Sequence, residues 1–180
     1  MLLIAASCAS IAQENPLGFE LSCADSYELD TRIGRLTNNV WNKQAIGDAP
    51  YRQCLKARGR GSGREWGWSW SWPVESRTVL AFPQVMFGWK PWNGGMSTDD
   101  RLPIAIATIK SLDLRYEIET RAEGKYILSI ALWLTRTGRT ASAANPADIS
   151  ADINIWMVGD AFEPAGAHVG DIAVDDLEFE

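Results

Sequence analysis

The chain has 180 residues, of which 22% are charged, and its formal net charge at pH 7 is −6. This length fits one domain with a substantial core, and the acidic balance argues against a protein that binds nucleic acid through its overall charge. Nine tryptophans favour a neutral ligand with apolar faces. The alternative is that the acidic balance serves solubility alone.

The N-terminus reads MLLIAASCASIAQ, a short apolar run closed by small residues. It resembles the end of a secretory signal cleaved after Ala12, although it lacks a basic segment at its start. A lipoprotein signal with Cys8 as the modified residue is the alternative. We therefore expect residues 1–12 to be the remnant of a signal, residues 13–180 to form one domain, and the protein to be secreted or periplasmic. No stretch approaches the roughly 20 apolar residues of a membrane span.

Removal of the signal would leave Cys23 and Cys54 as the remaining cysteines. An even pair in an oxidising compartment predicts a disulfide between them, and two free thiols are the alternative. Two thiols and the single His168 have no recognisable spacing for metal ligands. We expect no metal and no other cofactor.

Short alternating or apolar runs bounded by Gly, Pro, Asn and Asp recur along the chain, whereas helical spacing of apolar residues is scarce. The predicted strands are residues 19–21, 32–39, 52–58, 65–72, 79–89, 112–120, 125–135, 151–157 and 170–174. Many short strands with this punctuation predict an all-β sandwich or jelly roll.

Four tryptophans occupy every second position in "WGWSWSW", residues 66–72. In a strand they would share one side at spacings of roughly 6.6 Å. Such a row could stack on sugar rings or form one layer of a core. The pattern alone favours core.

Two later strands differ between their faces. In "ADINIWM", one face is predicted to be core and the other carries Asp152, Asn154 and Trp156. An acid, an amide and an indole in line suit a carbohydrate, which needs polar groups for its hydroxyls and an aromatic plane for its C–H faces. An ordinary solvated face is the alternative. The apolar "YILSIALWLT", which includes Trp133, predicts a strand buried on both sides or lying in a cleft floor.

Seven motifs follow one another in an order that resembles glycoside hydrolase family twelve, over nearly the whole chain. They are "NNVW" at 38–41, "QC" at 53–54, "WGWSWSWP" at 66–73, "GWKPW" at 88–92, "LP" at 102–103, "LWLT" at 132–135 and "DINIW" at 152–156. The resemblance implies a two-sheet β-jelly roll with a concave cleft for β-1,4-glucans, cellulose or xyloglucan. It also implies a secreted endoglucanase with an N-terminal disulfide at Cys23 and Cys54.

Enzymes of that family retain anomeric configuration with two Glu residues. The resemblance puts Asp152, one methylene shorter than Glu, at the nucleophile position, and a misplacement of about 1 Å can cost about a hundredfold in rate. The acid that supports the nucleophile falls on Ala131, and the family's Met falls on Asn154. No residue matches the acid/base Glu among the 28 after Asp152, 180 minus 152. We therefore expect a C-terminally incomplete domain without its last strands, in which hydrolysis is impaired.

The ligand-contacting positions follow the resemblance more closely. Asn39 and Trp41 match an N-x-W element whose Trp stacks on a glucosyl unit, and the same cleft is expected to include Trp70, Trp133, Asn154 and Trp156. For the tryptophan row at residues 66–72, the resemblance also implies mainly core, with Trp70 or Trp72 reaching the cleft. A monomeric endo-acting hydrolase of β-1,4-glucans is the first hypothesis. A non-catalytic glucan-binding module and an interaction domain whose aromatic residues are all core are the alternatives.

Overall fold

The computed structural model describes residues 18–59, 64–73, 78–90, 96–136, 148–158, 163, 166–175 and 177–179. The prediction of an all-β fold is confirmed, since the described elements are antiparallel strands with two short 3-10 turns at Lys43–Ile46 and Ile106–Thr108. The strands are β1 (Phe19–Ser22), β2 (Glu28–Thr31), β3 (Gly34–Thr37), β4 (Arg52–Arg58), β5 (Glu65–Ser71), β6 (Gln84–Met86), β7 (Leu128–Thr135), β8 (Ile149–Val158), β9 (Ile172–Val174) and β10 (Leu177–Phe179). The predicted signal remnant, residues 1–12, lies outside the described residues.

The first sheet has the order β1-β4-β5, and its β4–β5 ladder is continuous from end to end. Trp66, Trp68 and Trp70 lie opposite Ala57, Leu55 and Gln53, respectively. Directly paired residues share a face of the sheet, and these three partners on β4 are buried. The tryptophan row therefore adjoins core residues, but the expectation that it is mainly core is wrong, because Trp66 and Trp68 are half-buried and Trp70 is exposed. Trp72, also half-buried, lies just beyond the end of β5.

The second sheet has the order β2-β3-β6. The predicted strand 32–39 is wrong at both ends, because residues 32 and 33 form the turn between β2 and β3 and the strand ends at Thr37. Gly34 follows this turn at φ 123°, and an added Cβ would lie 2.5 Å from the Met86 carbonyl oxygen. Only glycine fits both the backbone angle and this close approach.

The predicted strand 79–89 is also too long, since only β6 forms a ladder there. The backbone N–H groups of Trp41 and Asn42 donate to the Leu80 carbonyl at 3.3 and 3.1 Å, and Asn42 Nδ2 donates to the Val79 carbonyl at 3.0 Å. These irregular contacts take carbonyls that a strand would use in pairing. Pro83 adds a residue without an N–H donor.

The buried apolar residues of the described chain lie on β3, β4 and β6 and at Leu80; they are Leu36, Cys54, Leu55, Ala57, Leu80 and Met86. The structure contains the predicted disulfide between Cys23 and Cys54. Beside it, the fully buried Asn38 donates through Nδ2 to the carbonyls of Ala24 at 3.0 Å and Gln53 at 2.9 Å. One amide thus joins the two residues that flank the disulfide.

The predicted strand 112–120 is wrong. Residues 111–123 have no regular secondary structure, although "LDLRYEIET" alternates apolar and polar residues throughout. Its apolar side chains are exposed: Leu112 by 68%, Leu114 by 59%, Tyr116 by 45% and Ile118 by 50%. Alternation predicts two unlike faces, but a strand also needs a hydrogen-bonding neighbour, and no strand of the described chain pairs with this segment.

The β7–β8 pair is the longest ladder described, and β9 pairs with β10 in a separate one. The expected core face of β8 is wrong in part, since Ile153 and Met157 are 45% and 41% exposed while Ile155 is half-buried. Within the described part of the chain, no helix has the length and apolar character needed to cross a membrane. The jelly-roll arrangement of two sheets stays a prediction.

Candidate functional site

One face of the β7–β8 pair collects four of the predicted site residues. Asp152 lies directly opposite Trp133, Asn154 opposite Ala131, and Trp156 opposite Ser129. Residues paired in this way share a face, with Cβ atoms about 4.5–5.5 Å apart. Asp152 and Asn154 are exposed, and Trp133 and Trp156 are half-buried. The face therefore offers a carboxylate and an amide to solvent between two indoles.

The register also shows which side chain stands next to the carboxylate. Ala131, the position where the sequence resemblance puts a supporting acid, faces Asn154 and is only a diagonal neighbour of Asp152. Diagonal neighbours lie about 7–8 Å apart, at the limit of contact for long side chains. Asp152 is the one acidic residue in β7 and β8, so neither strand supplies it with a second carboxyl group.

Lys90 is a site residue that the sequence reasoning missed. Its Nζ lies 5.8 Å from the centroid of the Trp133 ring, within the range of a cation–π contact. Lys90 is 8% exposed, and this burial lowers the pKa of its ammonium group, against an opposing effect of the Glu28 charge. The sequence signal was its position between two tryptophans in "GWKPW". A buried cation thus packs on the indole that faces Asp152.

The N-x-W element forms a second aromatic surface. Asn39, at φ 43°, accepts through its carbonyl from the Phe82 N–H and donates through Nδ2 to the Phe82 carbonyl, both at 3.0 Å. This reciprocal pair sets the rings of Trp41 and Phe82 parallel, with 2° between planes and 6.1 Å between centroids. The rings are 52% and 49% exposed. Asn39 therefore positions the surface, and Phe82 is a member that no sequence motif indicated.

Trp70 and Trp72, the two rings expected to reach a ligand, differ in their surroundings. Trp70 is 40% exposed and tilts against Tyr126, with 6.3 Å between centroids. Trp72 instead stacks on Tyr51, with centroids 4.4 Å apart, and its Nε1 donates to Gln53 Oε1 at 3.1 Å. Of the two rings expected to reach a ligand, Trp70 is the one left open.

One cluster among the described residues has the atoms of a metal site, namely Glu20, Cys23 and Cys54. Its two sulfur atoms are bonded to each other, and a disulfide lacks the thiolates that bind metals. Glu20 is paired with Arg52 at 2.6 Å. The chemistry of this donor set does not fit a metal ion.

Aromatic planes beside hydrogen-bonding groups suit a carbohydrate ligand. The comparison with known proteins found a relative whose name points to the same kind of ligand. The chain is similar to Endoglucanase S of Pectobacterium parmentieri, with 28% identity over 141 residues that make up 78% of this chain and 50% of the relative. The chain thus spans about half the length of the curated relative it matches. No family model matches the chain, and neither does a solved structure.

Proposed function

We propose that the chain binds β-1,4-glucans, cellulose or xyloglucan, as a secreted, monomeric, endo-acting glycoside hydrolase of the family-twelve kind. The observation that carries the proposal is the exposed Asp152, which faces Trp133 and stands in line with Asn154 and Trp156. Similarity to an endoglucanase supports it, and the disulfide agrees with an oxidising compartment.

Each group on this face has a role in the proposed complex. Trp133 and Trp156 contact the C–H faces of sugar rings, while Asn154 exchanges hydrogen bonds with hydroxyl groups. Asp152 takes the nucleophile position of a retaining mechanism, in which a carboxylate attacks the anomeric carbon. A second carboxyl group about 5–5.5 Å away protonates the leaving oxygen and later activates water. The parallel rings of Trp41 and Phe82 extend the aromatic contact with the glucan.

Hydrolysis is the weaker half of the proposal. Asp152 is one methylene shorter than Glu, which draws the attacking oxygen back by roughly 1 Å, enough for about a hundredfold loss in rate. Ala131 cannot support it, and β7 and β8 hold no other acid. This last observation favours a second candidate function, a glucan-binding module without turnover, because binding requires the rings and the amide but no proton donor.

The test separates binding from cleavage in the full chain. Retention on insoluble cellulose and on a xyloglucan gel measures binding, and reducing ends released from carboxymethyl cellulose and xyloglucan measure cleavage. Three variants are compared with the parent: Asp152→Asn, Trp156→Ala, and Asp113→Asn as the control for loss of an exposed carboxylate elsewhere.

For an enzyme, Asp152→Asn abolishes the reducing ends and keeps retention, whereas Trp156→Ala weakens both. For a binding module, the parent releases no reducing ends and Trp156→Ala alone loses retention. Asp113→Asn behaves as the parent in either case. If the parent neither binds nor cleaves these glucans, the proposal is wrong.

A further inference from the structure

A recess of about 370 Å³ lies where β2 and the start of β5 approach each other. We call it the arginine recess; its lining residues are Leu29, Asp30, Thr31, Arg32, Arg64 and Trp66. None of them belongs to the proposed glucan site. The recess combines two guanidinium groups with an indole, on a chain whose net charge is −6.

Aromatic rings hold Arg64 in place. Its Cζ lies 5.4 Å from the centroid of the Trp66 ring and 6.0 Å from that of Phe19. Contacts of this kind engage the flat face of a guanidinium and leave the N–H donors in its plane available. In the described part of the chain, no carboxylate forms a salt bridge with Arg64. An arginine fixed in this way loses less side-chain freedom when it binds an anion.

Asp30, the acidic residue of the recess, is hydrogen-bonded to an arginine outside it. Asp30 accepts two hydrogen bonds from Arg35, to Oδ1 from Nε at 2.6 Å and to Oδ2 from Nη2 at 3.1 Å. These bonds hold the pKa of Asp30 below its usual value, against the opposing effect of burial. Thr31 Oγ1 likewise donates to the Gly34 carbonyl at 2.8 Å. Asp30 is therefore committed to Arg35, and Arg64 supplies a positive charge to the recess.

We propose that the arginine recess binds the carboxylate of an acidic sugar, a uronic acid unit of a polysaccharide. A planar carboxylate matches the paired N–H donors of a guanidinium, and Arg64 offers them from a fixed position. Leu29 and Trp66, which line the recess, supply apolar contact for the C–H groups of the sugar ring. Sulfate and phosphate esters share the anionic character but have tetrahedral oxygens. The inference stands apart from the glucan proposal.

The experiment is a calorimetric titration of the full chain with uronic acid oligosaccharides, and with neutral cello-oligosaccharides, sulfated oligosaccharides and inorganic phosphate for comparison. Arg64→Gln removes the charge, and Arg64→Lys keeps it but removes the planar fork. Loss of charge-assisted hydrogen bonds is expected to raise the uronide Kd by about 10- to 100-fold in both variants. Arg121→Gln, which removes an exposed arginine paired with Glu119 at 2.7 Å, is the matched control and keeps the parent Kd.

Retention on cellulose is measured on the same variants and is expected to equal that of the parent. Because uronide binding and cellulose retention are measured separately, a failure of the glucan proposal does not affect the test of this inference. A uronide Kd unchanged in Arg64→Gln would overturn the inference. So would tighter binding of the sulfated sugar or of the phosphate than of the uronide. The neutral cello-oligosaccharide is expected to bind all variants as it binds the parent, because its site does not include Arg64. Weaker uronide binding at high salt supports it.

Discussion

Removing the disulfide with the paired substitutions Cys23→Ala and Cys54→Ala is expected to lower the free energy of unfolding by about 3–4 kcal/mol. The bond joins residues 31 positions apart, and a crosslink over a loop of that length removes chain entropy worth about 3–4 kcal/mol at 25 °C from the unfolded state. The loop contains β2, β3 and the Trp41 element, so its closure stabilises part of the proposed glucan surface.

The native structure has a second connection beside the disulfide. The loss of stability should therefore come mainly from the greater freedom of the unfolded chain, and little from changes in the folded state. Asn38 Nδ2 bonds the carbonyls of Ala24 and Gln53, the neighbours of the two cysteines. These bonds hold the segments together after the sulfur atoms are removed. The folded geometry is therefore expected to survive, and the loss of stability should follow the loop-closure value.

Urea unfolding followed by tryptophan fluorescence measures this loss, with the pairing state of the parent checked by mass spectrometry. The parent unfolded under reducing conditions serves as the comparison. A midpoint shift with an unchanged urea dependence is the expected form of the result. A loss below about 1 kcal/mol, in a parent shown to be oxidised, would refute the entropic reasoning.

Three further changes test the described contacts. Asn38→Ala removes a buried hydrogen bond to the Gln53 carbonyl and a part-buried one to the Ala24 carbonyl, which still accepts from the Tyr27 N–H, so urea unfolding should show a loss of about 1–3 kcal/mol. The Asp99 carboxyl, which Arg101 bonds, has its pKa lowered from 3.8 to about 2. Its stabilising effect is present above pH 3.8 and is lost as the pH falls through about 2, and an NMR titration should show the midpoint move up in Arg101→Gln. Trp41→Ala and Phe82→Ala should each weaken cellulose retention roughly tenfold, and because about half of each ring is buried, urea unfolding should show a loss of about 1–2 kcal/mol.

The sequence predicts strands well where a patterned segment also finds a partner. β4 matches its predicted bounds, 52–58, and β5 falls one residue short of 65–72, because each pairs with the other along its whole length. The segment 112–120 has an equally regular pattern and forms no strand. Alternation indicates which face of a strand would be buried. The hydrogen-bonding partner of that strand lies far away in the sequence, and no local pattern specifies it.

The sequence also predicts only part of the candidate site. Period-two alternation correctly puts Asp152, Asn154 and Trp156 on one face of β8, since strand geometry alone determines this. The register that brings Trp133 opposite Asp152 could not be derived, because a shift of one residue would exchange the faces. Lys90 and Phe82 were missed for a related reason, since their contacts join segments about 40 residues apart along the chain.

The geometry around Asp152 separates the two parts of the proposed function, sugar recognition and turnover. The proposed sugar contact depends on groups that the β7–β8 face holds: two indoles and an amide in register with an exposed carboxylate. Cleavage also requires a carboxyl group that gives its proton to the leaving oxygen, and such a group must come from outside these two strands. An acid introduced at Ala131 would lie beside Asn154 and reach Asp152 only diagonally. Support for the nucleophile from β7 would have to come from the position of Trp133, where an acid would replace one of the rings that binding needs.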